Sequence, residues 1–115
     1  MDFEFQKEWR EAIAPLNEQF GEDLDLDTVV YLIGVQELGK GFQKFSKDEK
    51  LDVIHVGVCS LLEPYGYYSY EGTDQDGWPH FTREEKLPYL KDDDQERLMK
   101  EAIINYIRTQ QPFSV

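Results

Sequence analysis

Four side chains able to do chemistry fall on one helical stripe: Asp52, His55, Cys59 and Glu63, at spacings of three, four and four residues. A cysteine one turn from a histidine can form a thiolate–imidazolium pair, the basis of nucleophilic cysteine catalysis. The same cysteine, histidine and a carboxylate can hold zinc. Two features oppose both chemistries. The stripe borders an apolar helix face, where a cysteine ordinarily behaves as a small hydrophobe. No sequence feature marks the oxyanion hole that a nucleophile needs. No catalytic residue, metal ligand or cofactor is therefore assigned, and an enzyme using His55 and Cys59 stands as an alternative.

Two other stretches imitate known sites. Gly34-Val35-Gln36-Glu37-Leu38-Gly39-Lys40-Gly41 nearly spells a phosphate-binding loop. Gly41 lacks the hydroxyl that such a loop gives to magnesium, and Glu37 would set a carboxylate among phosphates. A helix ended by Gly39 and Gly41 explains the same residues. Asp23, Asp25 and Asp27 alternate like the first ligands of a calcium loop, as do Asp74 and Asp76 before Gly77. In both, the bidentate acid of the twelfth position is missing, since Gly34 and Arg83 stand there. A looser divalent-ion or small-molecule site at the Asp74–His80 loop is a second alternative.

The strongest binding signal is aromatic. Tyr67, Tyr68, Tyr70, Trp78, His80 and Phe81 lie within one short segment, with Asp76 among them. Tyrosine and tryptophan give large contact area at small entropic cost, which suits a surface where partners meet. The competing reading is that these rings lock residues 65–81 onto the domain's own core.

Charge narrows the partners. The 115 residues carry 24 Asp and Glu against 12 Lys and Arg, a formal net charge of −12. Nucleic-acid backbones and anionic membranes select basic surface, so both are excluded as partners. The charges are also segregated. No Lys or Arg occurs from Glu11 to Leu38 or from Leu51 to Thr82, and Lys40, Lys44, Lys47 and Lys50 fill the gap between. A basic partner protein or self-association fits this pattern. Residues 1–8 have no signal-peptide pattern, and the apolar run 29–35 is far short of the ~20 residues of a membrane span. With one cysteine there is no disulfide framework, and the expected setting is the cytoplasm.

The elements that must position these residues are mostly helical. Trp9, Ile13, Leu16 and Phe20 mark a first helix from about Asp2 to Phe20, which Pro15 should kink or end near Ala14. Asp27 suits the N-cap of a second helix over 28–38, although its β-branched start also reads as a buried strand. Ser46 and Glu49 have capping-box spacing for a third helix to about Glu63, with Leu51, Ile54, Val58, Leu61 and Leu62 as its core face. Residues 64–91 lack helical periodicity. They form either an ordered loop or a hairpin of 67–71 against 78–83, turning at Asp74–Gly77. Asp93 and Glu96 have capping-box spacing for a fourth helix, with Leu98, Met99, Ala102, Ile103, Tyr106 and Ile107 as its stripe and Pro112 as its close.

The stretches Tyr31–Gly41, Phe45–Lys50 and Asp74–His80 together resemble a family of small, acidic, uncharacterised bacterial proteins, over roughly residues 28–107. The resemblance implies a bacterial cytoplasmic setting and carries no activity, cofactor or catalytic residue with it. The expected architecture is a single all-α domain. About four helices surround one core, with a long aromatic-rich loop or small hairpin between the third and fourth. The expected function is a non-enzymatic, soluble protein-interaction domain that uses its acidic surface and the aromatic residues 65–81.

Overall fold

Side-chain caps set where the helices begin. In the computed structural model, which describes residues 2–21, 24–41, 43–84 and 90–109, Asp2 accepts from the Phe5 N–H and opens α1 (Phe3–Phe20). α1 continues past Pro15 to Phe20, so the proline does not end it near Ala14. Proline removes one bond, to the carbonyl four residues earlier. Burial of Ile13 and Leu16 on either side of it, with Trp9 and Phe20 packed on the same core, holds the helix across that gap.

α2 (Leu26–Leu38) starts two residues earlier than the charge pattern suggested. Asp25, rather than Asp27, is the N-cap, its carboxylate accepting from the Thr28 N–H at 2.8 Å. Seven of its residues are buried, so the segment 29–33 is a central helix and no strand. Gly39 ends it in the left-handed region, at φ 75°.

α3 (Lys47–Leu62) carries the expected capping box of Ser46 and Glu49. Of its expected core face, Leu61 and Leu62 are buried and Ile54 and Val58 pack half-buried on the core, but Leu51 is 62% exposed, and Val53, Val56, Gly57 and Cys59 are buried as well. The cause is a glycine contact. A Cβ on Gly57 would lie 3.0 Å from Val30 Cγ1 and 3.2 Å from the Gly34 amide, and one on Gly34 would collide with the Val53 carbonyl. Two backbones this close require side chains to be absent at both positions, which turns that face of α3 onto α2.

The all-α expectation is overturned. Between α3 and α4 (Asp92–Thr109) a short 3-10 turn, Glu63–Tyr65, leads into an antiparallel hairpin of β1 (Tyr68–Thr73) and β2 (Pro79–Arg83). The fold is thus helix-dominated with a two-stranded sheet. The physical reason lies in the residues. Gly72, Gly77 and Pro79 bar a helix, and the backbone groups between them must pair with something. The pairing runs Tyr68 with Arg83, Ser69 with Thr82 and Tyr70 with Phe81, then shifts by one residue before Gly72, which sits at φ 117°.

α4 begins at Asp92, so Asp93 and Glu96 lie inside the helix and form no cap. The helix opens with the Gln95 N–H donating to the Lys91 carbonyl at 2.9 Å, while the Gln95 side chain donates to the Leu90 carbonyl at 2.7 Å and ties the preceding chain to the first turn. Ala102, Ile103, Ile104 and Tyr106 are buried, and Pro112 lies outside the described residues. Arg97 to Asp2 and Arg108 to Glu8 tie α4 to α1 at 3.0 and 3.2 Å. The core has a main cluster around Ile33, Leu61 and Ile103, and a second one of Val35, Leu38, Phe45 and Val53. Among the described residues, no helix is long and apolar enough to cross a membrane.

Candidate functional site

The hairpin turn organises itself around one carboxylate. Asp74 Oδ1 accepts from the Asp76 and Trp78 N–H groups at 2.9 and 3.0 Å, and Oδ2 meets His80 Nε2 at 2.8 Å. These hydrogen bonds, that of His80 first and then that of the Trp78 amide, hold the Asp74 carboxyl below its ordinary range. Gly77 supplies the left-handed residue, at φ 87°, that closes the turn. The Asp74–His80 loop thereby engages both oxygens of its best ligand internally. Asp76 and His80 themselves are exposed.

The aromatic residues divide into two sets. Trp78 packs edge-on to Phe45 at 6.4 Å, and Phe45 meets Tyr31 likewise at 6.5 Å, so Trp78 joins the second core cluster. Lys40 from the end of α2 covers the Trp78 ring at 5.6 Å and donates to the Asp76 carbonyl, pinning the hairpin tip. Tyr67 and Tyr68 pack against the main core, Tyr67 stacked on Tyr65 and Tyr68 edge-on to His55. The remaining pair faces elsewhere. Tyr70 and Phe81 are register partners with ring centroids 5.7 Å apart, and Tyr70 is 52% exposed.

Tyr70 and Phe81 line a cleft of about 470 Å3 between the hairpin and the C-terminal ends of α2, α3 and α4. That volume lies in the range of small-ligand pockets. The hairpin wall adds Thr73, Gly77 and Pro79; the helical wall includes Glu37, Ser60, Glu63, Pro64, Asn105 and Tyr106. Two carboxylates thus share the cleft with two exposed or half-buried rings, and no Lys, Arg or His lines it among the described residues. Lack of basic residues there follows from the chain. α2, α3 from Leu51 onward and the hairpin up to Thr82 lie in its two stretches without Lys or Arg, and α4 contributes Ala102, Asn105, Tyr106 and Thr109.

One of these carboxylates is held in place. The Tyr106 hydroxyl donates to Glu37 Oε2 at 2.7 Å and accepts from Gln36 Nε2 at 2.7 Å. Burial, and secondarily the neighbouring Glu37, push the Tyr106 phenol well above the ordinary tyrosine value. Tyr106 thus stays a neutral donor and fixes Glu37 across the α2–α4 junction. Sequence reading placed Tyr106 only in a core stripe and gave Glu37 no role. The absence of basic residues along 11–38 was the one signal pointing to Glu37, and none pointed to the Tyr106 hydroxyl.

The His55–Cys59 stripe has a different character from the one its spacing suggested. Cys59 Sγ lies 3.4 Å from His55 Nε2, yet Cys59 is fully buried and burial pushes its thiol up to about 11. A thiol in that state is a packing group. Glu63 leaves the stripe for the cleft. Among the described residues, no group of three or more His, Cys, Asp or Glu is placed to hold a metal ion. The phosphate-loop imitation is helix α2 and its stop, and Asp23 of the first calcium-loop imitation lies outside the described residues. No protein-family model, curated protein or solved structure matches this chain.

Proposed function

We propose that this protein is a non-enzymatic interaction domain that takes a basic segment of a partner protein into the cleft between the hairpin and the helices. The observation that carries this reading is the cleft's composition: Glu37 and Glu63 opposite Tyr70 and Phe81, with no basic residue lining it among the described residues. Cations are attracted both by carboxylates and by ring faces. The overall charge of −12 adds long-range attraction that speeds encounter with a basic partner. Of the aromatic segment, Tyr70 and Phe81 are the contact residues in this reading, while Trp78, Tyr67 and Tyr68 brace the hairpin that presents them.

An amide-resolved NMR titration with a short basic peptide tests it. Shifts should concentrate on Glu37, Tyr70, Phe81 and Asn105 and weaken as salt rises. Glu37→Gln combined with Glu63→Gln should abolish them, because both changes keep shape and remove charge. Shifts spread evenly over the acidic surface, or unchanged in the double variant, would sink the reading.

A further inference from the structure

We infer that the cleft selects an arginine side chain of its partner over a lysine, an inference that rests on the cleft receiving a basic protein segment. The ring pair is the first ground. Tyr70 and Phe81 sit 5.7 Å apart at an interplanar angle of 59°, and Tyr70 is 52% exposed, so ring surface is presented to the cleft. A guanidinium is planar, delocalised and weakly hydrated, so it lies on such a surface with little desolvation cost; an ammonium is a strongly hydrated point charge. The second ground is the acceptor. Tyr106 holds Glu37 through Oε2, leaving Oε1 to receive an N–H from a stacked guanidinium. Pro64 and Pro79 add apolar wall that suits the flat face of arginine better than a hydrated ammonium.

The occupant is a side chain carried by a partner chain because the carboxylates and rings converge on a cleft open to solvent. A chain can run outside it and insert one cationic group. Two Gly-Ser peptides that differ only in a central Arg-Arg or Lys-Lys pair are titrated into the intact protein and followed by amide shifts. The arginine peptide should bind about fivefold tighter, the size expected when a cation stacks on a partly exposed ring. Tyr70→Leu should remove that preference, while Glu37→Gln should weaken both peptides, the arginine one more. Phe81→Leu repeats the ring test if the Tyr70 change loosens the hairpin. Equal affinities, or a preference that survives loss of either ring, overturn the arginine inference and leave the basic-segment reading standing. Failure of both peptides to shift the cleft overturns the two together.

Discussion

The Tyr106 hydroxyl donates to Glu37 Oε2 at 2.7 Å, joining residues 69 positions apart in the chain. The same hydroxyl accepts from Gln36, so one buried phenol fixes both polar side chains at the end of α2. The last helix thereby sets the geometry of a carboxylate on the second.

Tyr106→Phe should destabilise the protein by about 1 kcal/mol, the net worth of a hydrogen-bonded hydroxyl whose loss strands its partners. The pH dependence has a defined sign. A phenol whose folded value is raised contributes stability that is complete below the unfolded tyrosine value and is lost as pH rises through the folded one. Wild-type stability should therefore decline above about pH 10. Tyr65, Tyr68 and Cys59, also raised by burial, add to that decline. Urea denaturation across this range should show a shallower decline in the Phe variant. Parallel curves would remove Tyr106 as a source.

Gly34→Ala and Gly57→Ala should each destabilise by about 2 kcal/mol or more, through overpacking against rigid backbone. The added methyl groups meet the Val53 and Val30 carbonyls, which cannot move without separating α2 from α3. Midpoints in urea measure this. A change within error at both sites would mean the two helices lie further apart.

Cys59 should alkylate far more slowly than free cysteine near neutral pH, being fully buried with its thiol near 11. Iodoacetamide labelling followed by mass spectrometry checks it, with unfolded protein as the fast control. Native labelling at the free-thiol rate would revive an activated cysteine.

His80→Ala should raise the Asp74 carboxyl toward its ordinary value, since the His80 hydrogen bond is the largest influence lowering it. A depressed carboxyl stabilises the fold above its unfolded value and loses that contribution as pH falls through the folded one. The hairpin tip should accordingly loosen in acid, below about pH 4. Trp78 fluorescence reports it, because Trp78 N–H bonds Asp74 and its ring rests on Phe45. Carboxyl chemical shifts of Asp74 that are identical in both proteins would contradict the assignment.

Local signals were legible where local physics decided the outcome. The Ser46–Glu49 box, the stop at Gly39 and the turn at Asp74–Gly77 each depend on residues within a few positions. Choices between near-equal local options were harder to read. Asp25 and Asp27 are equally good caps, and the one whose carboxylate reaches the Thr28 amide won. The all-α expectation gave too little weight to glycines and a proline that leave a strand pair as the way to satisfy their backbone.

The sequence by itself determined four helices, an acidic chain with basic residues withheld from two long stretches, and an aromatic segment between the third and fourth helices. Periodicity, capping and composition are properties of neighbours, so they can be read along the chain. Only the tertiary structure decided that Trp78 braces while Tyr70 presents its ring, that Cys59 is sealed, and that Glu37 and Glu63 share a cleft. Those outcomes depend on contacts between distant residues. The Gly34–Gly57 approach seats α3 on α2, and the Tyr106 hydroxyl bridges α4 to α2. Packing of that kind is settled when all the elements meet, and no single segment contains it.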